Sequence, residues 1–213
     1  MNGVETVDLQ LDKCTATAAL SAEARQVHVY VLRTFAATGR APSRADLRRV
    51  AADRGCDPAM VLTELAERDV VAVDARGELR AAYPFSPTPT AIQVTWDGGP
   101  TVYAMCAVDA LGMSAMLDRP VTITATEPDT GNAVTVHVDG DRADWTPASA
   151  VVFAGATDDS CCPSVDRTCG AINFFTTSEA AGDWASRHPD VSGAVLDRAT
   201  ALAQAVAEFG AML

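Results

Sequence analysis

Tyr83-Pro84-Phe85-Ser86-Pro87-Thr88-Pro89-Thr90 divides this chain in two. Three prolines in eight residues remove three backbone donors and restrict three φ angles, so the stretch is not expected to continue a helix or to run as a central strand. It reads as a boundary between a first domain, residues 1–85, and a second, residues 86–213. On its N-terminal side, Ala24, Val27, Val31 and Phe35 recur at helical spacing between Ser21 and Gly39. Ser43 with Asp46 opens a second helix that Gly55 ends. Asp57 before Pro58 caps a third over Ala59 to Arg68, with Val61, Leu62 and Leu65 facing inward. Val70–Val73 and Glu78–Ala82, joined through Asp74-Ala75-Arg76-Gly77, then predict a hairpin. Three helices and a hairpin are the parts of a winged helix-turn-helix.

Beyond the prolines the pattern changes to short strand-like runs: Ala91–Trp96, Val121–Ala125, Ala133–Val138, Val151–Ala154 and Ala171–Thr176. Helices are expected near 102–117, 178–187 and 194–211. The fold class is therefore α+β: a helical, winged-helix-like domain, then a small mixed sheet of about five strands flanked by helices.

At 213 residues and 48% apolar composition the chain can bury a core and is expected to be a folded, soluble protein. Its net charge of -12 is uneven: residues 1–85 hold 11 basic and 12 acidic side chains, and residues 86–213 hold 5 and 16. So acidic a second half repels phosphate backbones and anionic bilayers, which argues against nucleic-acid and membrane partners. The first residues show neither a basic patch followed by an apolar core nor a membrane-length apolar run, so the expected location is the cytoplasm. There, and with a core this large, the six cysteines are expected to be free thiols.

Two groups of residues could carry chemistry. In Tyr103-Ala104-Met105-Cys106-Ala107-Val108-Asp109-Ala110-Leu111 a thiol and a carboxylate lie three residues apart in a predicted helix, on one face. A lone cysteine in such a helix is ordinarily a small buried hydrophobe. Asp109 is harder to explain that way, since a carboxylate among Val108, Ala110, Leu111 and Met113 must be paired or protonated. The second group is Ser160-Cys161-Cys162-Pro163-Ser164-Val165-Asp166-Arg167-Thr168-Cys169-Gly170, which gathers half of the cysteines in nine residues of loop-like sequence. A disulfide or structural zinc would be the bland explanations. Zinc is weakened by the missing Cys-x-x-Cys spacing and by the distance in sequence of His28, His137 and His188. Thiolate binding of a soft metal fits better. Asp158, Asp159 and Asp166 would raise thiol pKa values, with Arg167 as the counterweight.

The segment Tyr103–Leu111, Cys169 ahead of Asn173-Phe174-Phe175, and Asp183-Trp184-Ala185-Ser186-Arg187-His188 together resemble the organomercurial (alkylmercury) lyase family. The likeness is clear over about 91–190. It implies a winged-helix-type domain ahead of a catalytic one, and protonolysis of carbon–mercury bonds, with Cys106 and Cys169 as mercury-binding thiols and Asp109 as proton shuttle. Products would be a hydrocarbon and mercury(II), taken up by cellular thiols or a mercuric reductase. No organic cofactor is implied, only external thiols as co-reactants. The family commonly has adjacent cysteines at the second position, and here the adjacent pair is Cys161-Cys162. Two alignments compete: counting back from Phe174-Phe175 without a gap lands on Cys169, whereas Cys161 demands an insertion of several residues inside the motif. The first is favoured, and Cys161 and Cys162 are then expected to be auxiliary thiols that relay mercury. The family's further cysteine near 121–127 is replaced by Thr122, Thr124 and Thr126. Tyr103, Phe174 and Trp184 would either wall an apolar pocket or pack in the core. Rival functions are a metal-responsive winged-helix DNA-binding regulator, opposed by Glu64, Glu67 and Asp69 in and just after its third helix, and a non-catalytic thiol carrier of metal.

Overall fold

The computed structural model describes residues 13–157 and 163–213. A first short helix, α1 (Lys13–Ala18), precedes α2 (Ala22–Thr38), α3 (Arg44–Ala52) and α4 (Pro58–Glu67). Each of the last three starts at the cap its sequence announces. Ser21 Oγ accepts from the Ala24 amide, Ser43 and Asp46 form a reciprocal capping box, and Asp57 accepts from Ala59 with Pro58 in the first turn. Gly39 ends α2 in the left-handed region at φ 71°. Ala24, Val27, Val31, Leu32 and Phe35 of α2 are buried against Leu47 and Val50 of α3 and Val61 and Leu65 of α4, while Leu62 is only partly covered. The hairpin forms as expected from β1 (Val71–Val73) and β2 (Leu79–Ala82).

The sheet differs from expectation. Instead of a small mixed sheet of about five strands, an eight-stranded antiparallel sheet runs in the order β1-β2-β3-β5-β4-β6-β7-β8, beside a three-stranded antiparallel sheet β10-β9-β11. The added strands are β3 (Phe85–Ser86), β4 (Ile92–Thr95), β5 (Val102–Ala104), β6 (Val121–Thr126), β7 (Ala133–Asp139), β8 (Arg142–Thr146), β9 (Val151–Thr157), β10 (Asn173–Phe175) and β11 (Val191–Leu196). The proline stretch does contain a strand, because Phe85 and Ser86 between Pro84 and Pro87 keep their amides. Phe85 pairs with Ala82 on one side and Ala104 on the other, so the hairpin is continuous with the large sheet. The turn into β8 is a two-residue Gly140-Asp141 connection with Gly140 at φ 61°, a tight hairpin that a left-handed glycine permits.

The remaining helices are α5 (Ala107–Leu117), the single-turn α6 (Ser164–Arg167), α7 (Ser178–Arg187) and α8 (Arg198–Phe209), with a tight turn at Cys169–Ala171 after α6. The helix expected over 102–117 begins only at 107, because Val102–Ala104 are claimed as β5 by neighbours on both edges. The helix expected over 194–211 begins at 198. Asp197 caps it by accepting from Thr200, and 191–196 pair with β9. Almost every residue of α5 is buried, since the large sheet lies on one side of it and α8 on the other. Among the described residues no helix is long and apolar enough to cross a membrane.

Candidate active site

Cys106 is not inside a helix, as its spacing predicted, but is the N-cap of α5, with Asp109 at the third helical position. The Cys106 side chain caps the helix with sulfur in place of the usual oxygen, and the third-position carboxyl accepts from the thiol itself. The Asp109 amide donates to Cys106 Sγ at 3.5 Å, and the Cys106 thiol donates to Asp109 Oδ2 at 2.6 Å. The three-residue spacing thus does bring thiol and carboxylate together, by the turn into a helix. The amide ends of α5 also favour negative charge on either group.

Cys169 reaches the same place from a distant segment. The Ala107 amide, next to Cys106, donates to the Ile172 carbonyl at 3.1 Å, which ties the start of α5 to the residues just past Cys169. Met105 N donates to the Pro84 carbonyl at 3.2 Å and holds the other side. Cys106, Asp109 and Cys169 are all buried and line one cavity of about 10 Å³, room for roughly one heavy atom, together with Lys13, Tyr83, Val108, Ser164, Thr168 and Phe209. The four described cysteines, Cys14, Cys56, Cys106 and Cys169, are free thiols. Cys161 and Cys162, with Asp158 and Asp159, lie outside the described residues.

Burial controls the electrostatics. It pushes the Cys106 thiol well above its ordinary range, helped by the neighbouring Cys169 thiol and by Asp109. Burial also raises the Asp109 carboxyl to about 7, against the opposing pull of its bond from Cys106 and of the Lys13 charge. The resting pair is a protonated thiol beside a carboxyl that changes charge near neutrality, which suits a group that both takes and returns a proton. Burial, then Cys169, Asp69 and Asp109, hold the Tyr83 phenol protonated.

The neighbours of the site were not visible in the sequence. Lys13 Nζ donates to Asp69 Oδ2 at 2.6 Å, the Asp69 carbonyl at 2.7 Å and Ser164 Oγ at 2.9 Å, and sits 4.0 Å from the centre of the Tyr83 ring. The available signal was that Lys13 is the chain's one lysine, at a place where every other basic side chain is arginine. The acidity of the cysteine segment is also handled otherwise than expected. Asp166 is paired in two bonds, 2.6 and 3.0 Å, with Arg80 of β2, which holds its carboxyl below the usual range, and not with the adjacent Arg167. Phe174 and Trp184 pack in the core, while Tyr103 is only partly buried. Phe174 meets Trp145 edge-on at 5.7 Å, Trp184 packs with Phe153 and Phe175, and neither Phe174 nor Trp184 lines the cavity; nor does Tyr103.

The chain is similar to known proteins in sequence and in fold. The alkylmercury lyase (MerB) family profile matches residues 85–210. An alkylmercury lyase of Staphylococcus epidermidis is 33% identical over 106 residues, covering 50% of this chain and 48% of the relative. One of Streptomyces lividans is 30% identical over 135 residues, covering 62% and 60%. The matched region thus spans about half to three-fifths of the length of these curated relatives. Among solved structures, the mercury-bound form of MerB2 superposes with a TM-score of 0.75 at 25% identity, covering 96% of this chain and 97% of that one.

Proposed function

This chain belongs to the alkylmercury lyase family, and from that premise we propose that it cleaves carbon–mercury bonds by protonolysis, with Cys106, Asp109 and Cys169 as the reacting groups. The observation that carries this is the buried 2.6 Å contact between the Cys106 thiol and the Asp109 carboxyl on the wall of a cavity that Cys169 shares.

The sequence of events follows from the chemistry. An organomercurial R–Hg–X meets Cys106, whose proton passes to Asp109 as sulfur bonds to mercury and X departs. A neutral thiol is a poor ligand for mercury, so a base in contact with it is what makes capture fast in a buried site. Cys169 then adds as a second sulfur, and its proton leaves with X. Two thiolates on one soft ion push electron density onto the carbon, which resists water but now takes the proton that Asp109 holds. R–H departs, Hg(II) stays on two sulfurs, and Asp109 is again an anion. Of the two thiol protons, one ends on carbon and one with X. The same carboxyl serves as base and then as acid, a task for which a pKa of about 7 is well placed.

Around this core, the N-terminal helices and hairpin up to residue 85 form a winged-helix-like domain and residues 86–213 the catalytic one. The protein acts in the cytoplasm, without an organic cofactor and without nucleic acid or membrane as partner. Cellular thiols or a mercuric reductase take the mercury(II), and Cys161 and Cys162 relay it. The acidic second half supports a small, thiol-carried ligand over a polyanion.

The test is headspace detection of methane or benzene from methyl- or phenylmercury with excess thiol. Wild type should release the hydrocarbon, and Asp109→Asn should lose about 100-fold or more in rate, the usual scale for removing a general acid–base group. Full-rate release by Asp109→Asn would remove Asp109 from the reaction. A wild type that binds mercury and releases nothing would make the protein a carrier.

A further inference from the structure

Lys13 is the point at which four segments remote in sequence meet beside the thiol cavity. Its side chain is only 6% exposed, and burying an ammonium is costly unless its protons are taken up. Here they are: by the Asp69 carboxylate and carbonyl and by the Ser164 hydroxyl, with the face of Tyr83 against the charge. The backbone amide of Lys13 donates to Glu208 Oε2 of α8 at 2.8 Å, so the base of the lysine is anchored as well. Asp69 stands in the left-handed region at φ 51°, which turns both its carbonyl and its carboxylate to the ammonium.

Asp69 and Ser164 are themselves bonded. The Ser164 amide donates to both Asp69 oxygens at 3.3 Å, and its hydroxyl donates to Oδ2. The Tyr83 hydroxyl donates to Asp69 Oδ1 at 3.4 Å and accepts from the Val165 amide at 2.8 Å. Ser164 opens α6, and its carbonyl accepts from both the amide and the hydroxyl of Thr168, the residue before Cys169. A continuous path of directed bonds therefore runs from Lys13 through Asp69 and Ser164 to the neighbour of the second thiol. Simple filling of space does not call for this, since a Met or Leu would occupy the same volume without desolvating a charge. A compact ammonium with three donors meets three converging acceptors, where a planar guanidinium would not.

We infer that Lys13 is a positioning residue of the reaction: with Asp69 and Ser164 it latches the segment carrying Cys169 over Cys106, so that a mercury captured by one sulfur meets the second. This rests on the two-thiol reading proposed above. The latch acts through the placement of Cys169; because the Lys13 charge also pulls on Asp109, Ser164→Ala, which keeps the ammonium, is the variant that separates the two effects.

The experiment is a mutant cycle on mercury retention. Wild type, Lys13→Met, Cys169→Ser and the double variant are loaded with Hg(II) chloride and challenged with increasing glutathione. Lys13→Met should release mercury at about 10-fold or lower glutathione than wild type, as Cys169→Ser does, and the double variant should be no weaker than Cys169→Ser alone. With phenylmercury as substrate, Lys13→Met should keep KM within about twofold while kcat falls about 10- to 100-fold, because first capture by Cys106 is intact and the second sulfur is misplaced. Ser164→Ala breaks the same path without removing the charge. It should show the same pattern more weakly, and it stands in if Lys13→Met does not fold. Wild-type retention in Lys13→Met and Ser164→Ala, or losses that add in full to that of Cys169→Ser, would overturn the latch. Retention does not depend on turnover. A wild type that holds Hg(II) on both thiols but releases no benzene would sink the lyase proposal and leave the latch standing.

Discussion

Asp109 is the residue on which local chemistry and stability pull against each other. Its carboxyl titrates near 7 in the fold because burial disfavours the charge, against an ordinary value of 3.8. The folded chain therefore holds a proton that the unfolded chain releases between these values. The contribution to stability is complete below about pH 4 and is lost as pH rises through 7. Asp109→Asn, which cannot ionise, should lack that loss. In thermal melts it should match wild type near pH 4 and exceed it at pH 8 by on the order of a few kcal/mol. Equal melting at both pH values would mean that the carboxylate is not costly in the fold. A variant more stable at pH 8 yet inactive would show a functional group retained at the expense of stability.

Among the elements, α5 decides where the thiol and carboxyl sit, and Gly112 decides how close α8 comes to α5. A Cβ at Gly112 would lie 2.5 Å from Phe209 Cδ2 and 2.7 Å from the Ala205 carbonyl, which is backbone and cannot turn aside. Gly112→Ala gains about 1 kcal/mol of helix propensity but overpacks the helix pair by roughly 1–3 kcal/mol. The urea midpoint should therefore fall, with an unchanged slope. Because Phe209 also lines the thiol cavity, hydrocarbon release should fall with it. A rise in the midpoint would show that α8 yields freely.

Across the whole molecule, the helical part contributes a pH dependence of the opposite sign. His28 is fully buried in α2, neither ring nitrogen has a hydrogen-bond partner among the described residues, and burial, with Arg25, lowers its pKa from 6.5 to about 4. Its stabilising contribution is present above pH 6.5 and is lost as pH falls through 4, since the unfolded chain takes up the proton first. Between pH 6.5 and 4 wild type loses stability from this group while gaining it from Asp109, so His28→Leu, which leaves only the gain, should raise the melting temperature at pH 4 relative to pH 6.5 more than wild type does. An unchanged acid limb would place the cause of acid unfolding elsewhere. The eight-stranded sheet runs from the N-terminal hairpin to the residues before β9, so loosening at α2 has a covalent and hydrogen-bonded route to the strands beneath the site.

What the residues determined by themselves is what depends on near neighbours in the chain. Caps at Ser21, Ser43 and Asp57, the hairpin after Arg68, and the pairing of Cys106 with Asp109 all involve groups within a few positions, so periodicity and capping chemistry were enough to find them. Tertiary structure alone decided that Val102–Ala104 is a strand, that β8 and β11 exist, and that Phe85 and Ser86 bridge hairpin and sheet, because a strand of two or three ordinary residues is defined by its partners and not by its own preference. It alone brought Cys169 to Cys106 and Lys13 to Asp69 and Ser164, 56 and 151 positions away. Those meetings rest on burial and on charge partners that only a closed core can select, and no spacing along the chain records them.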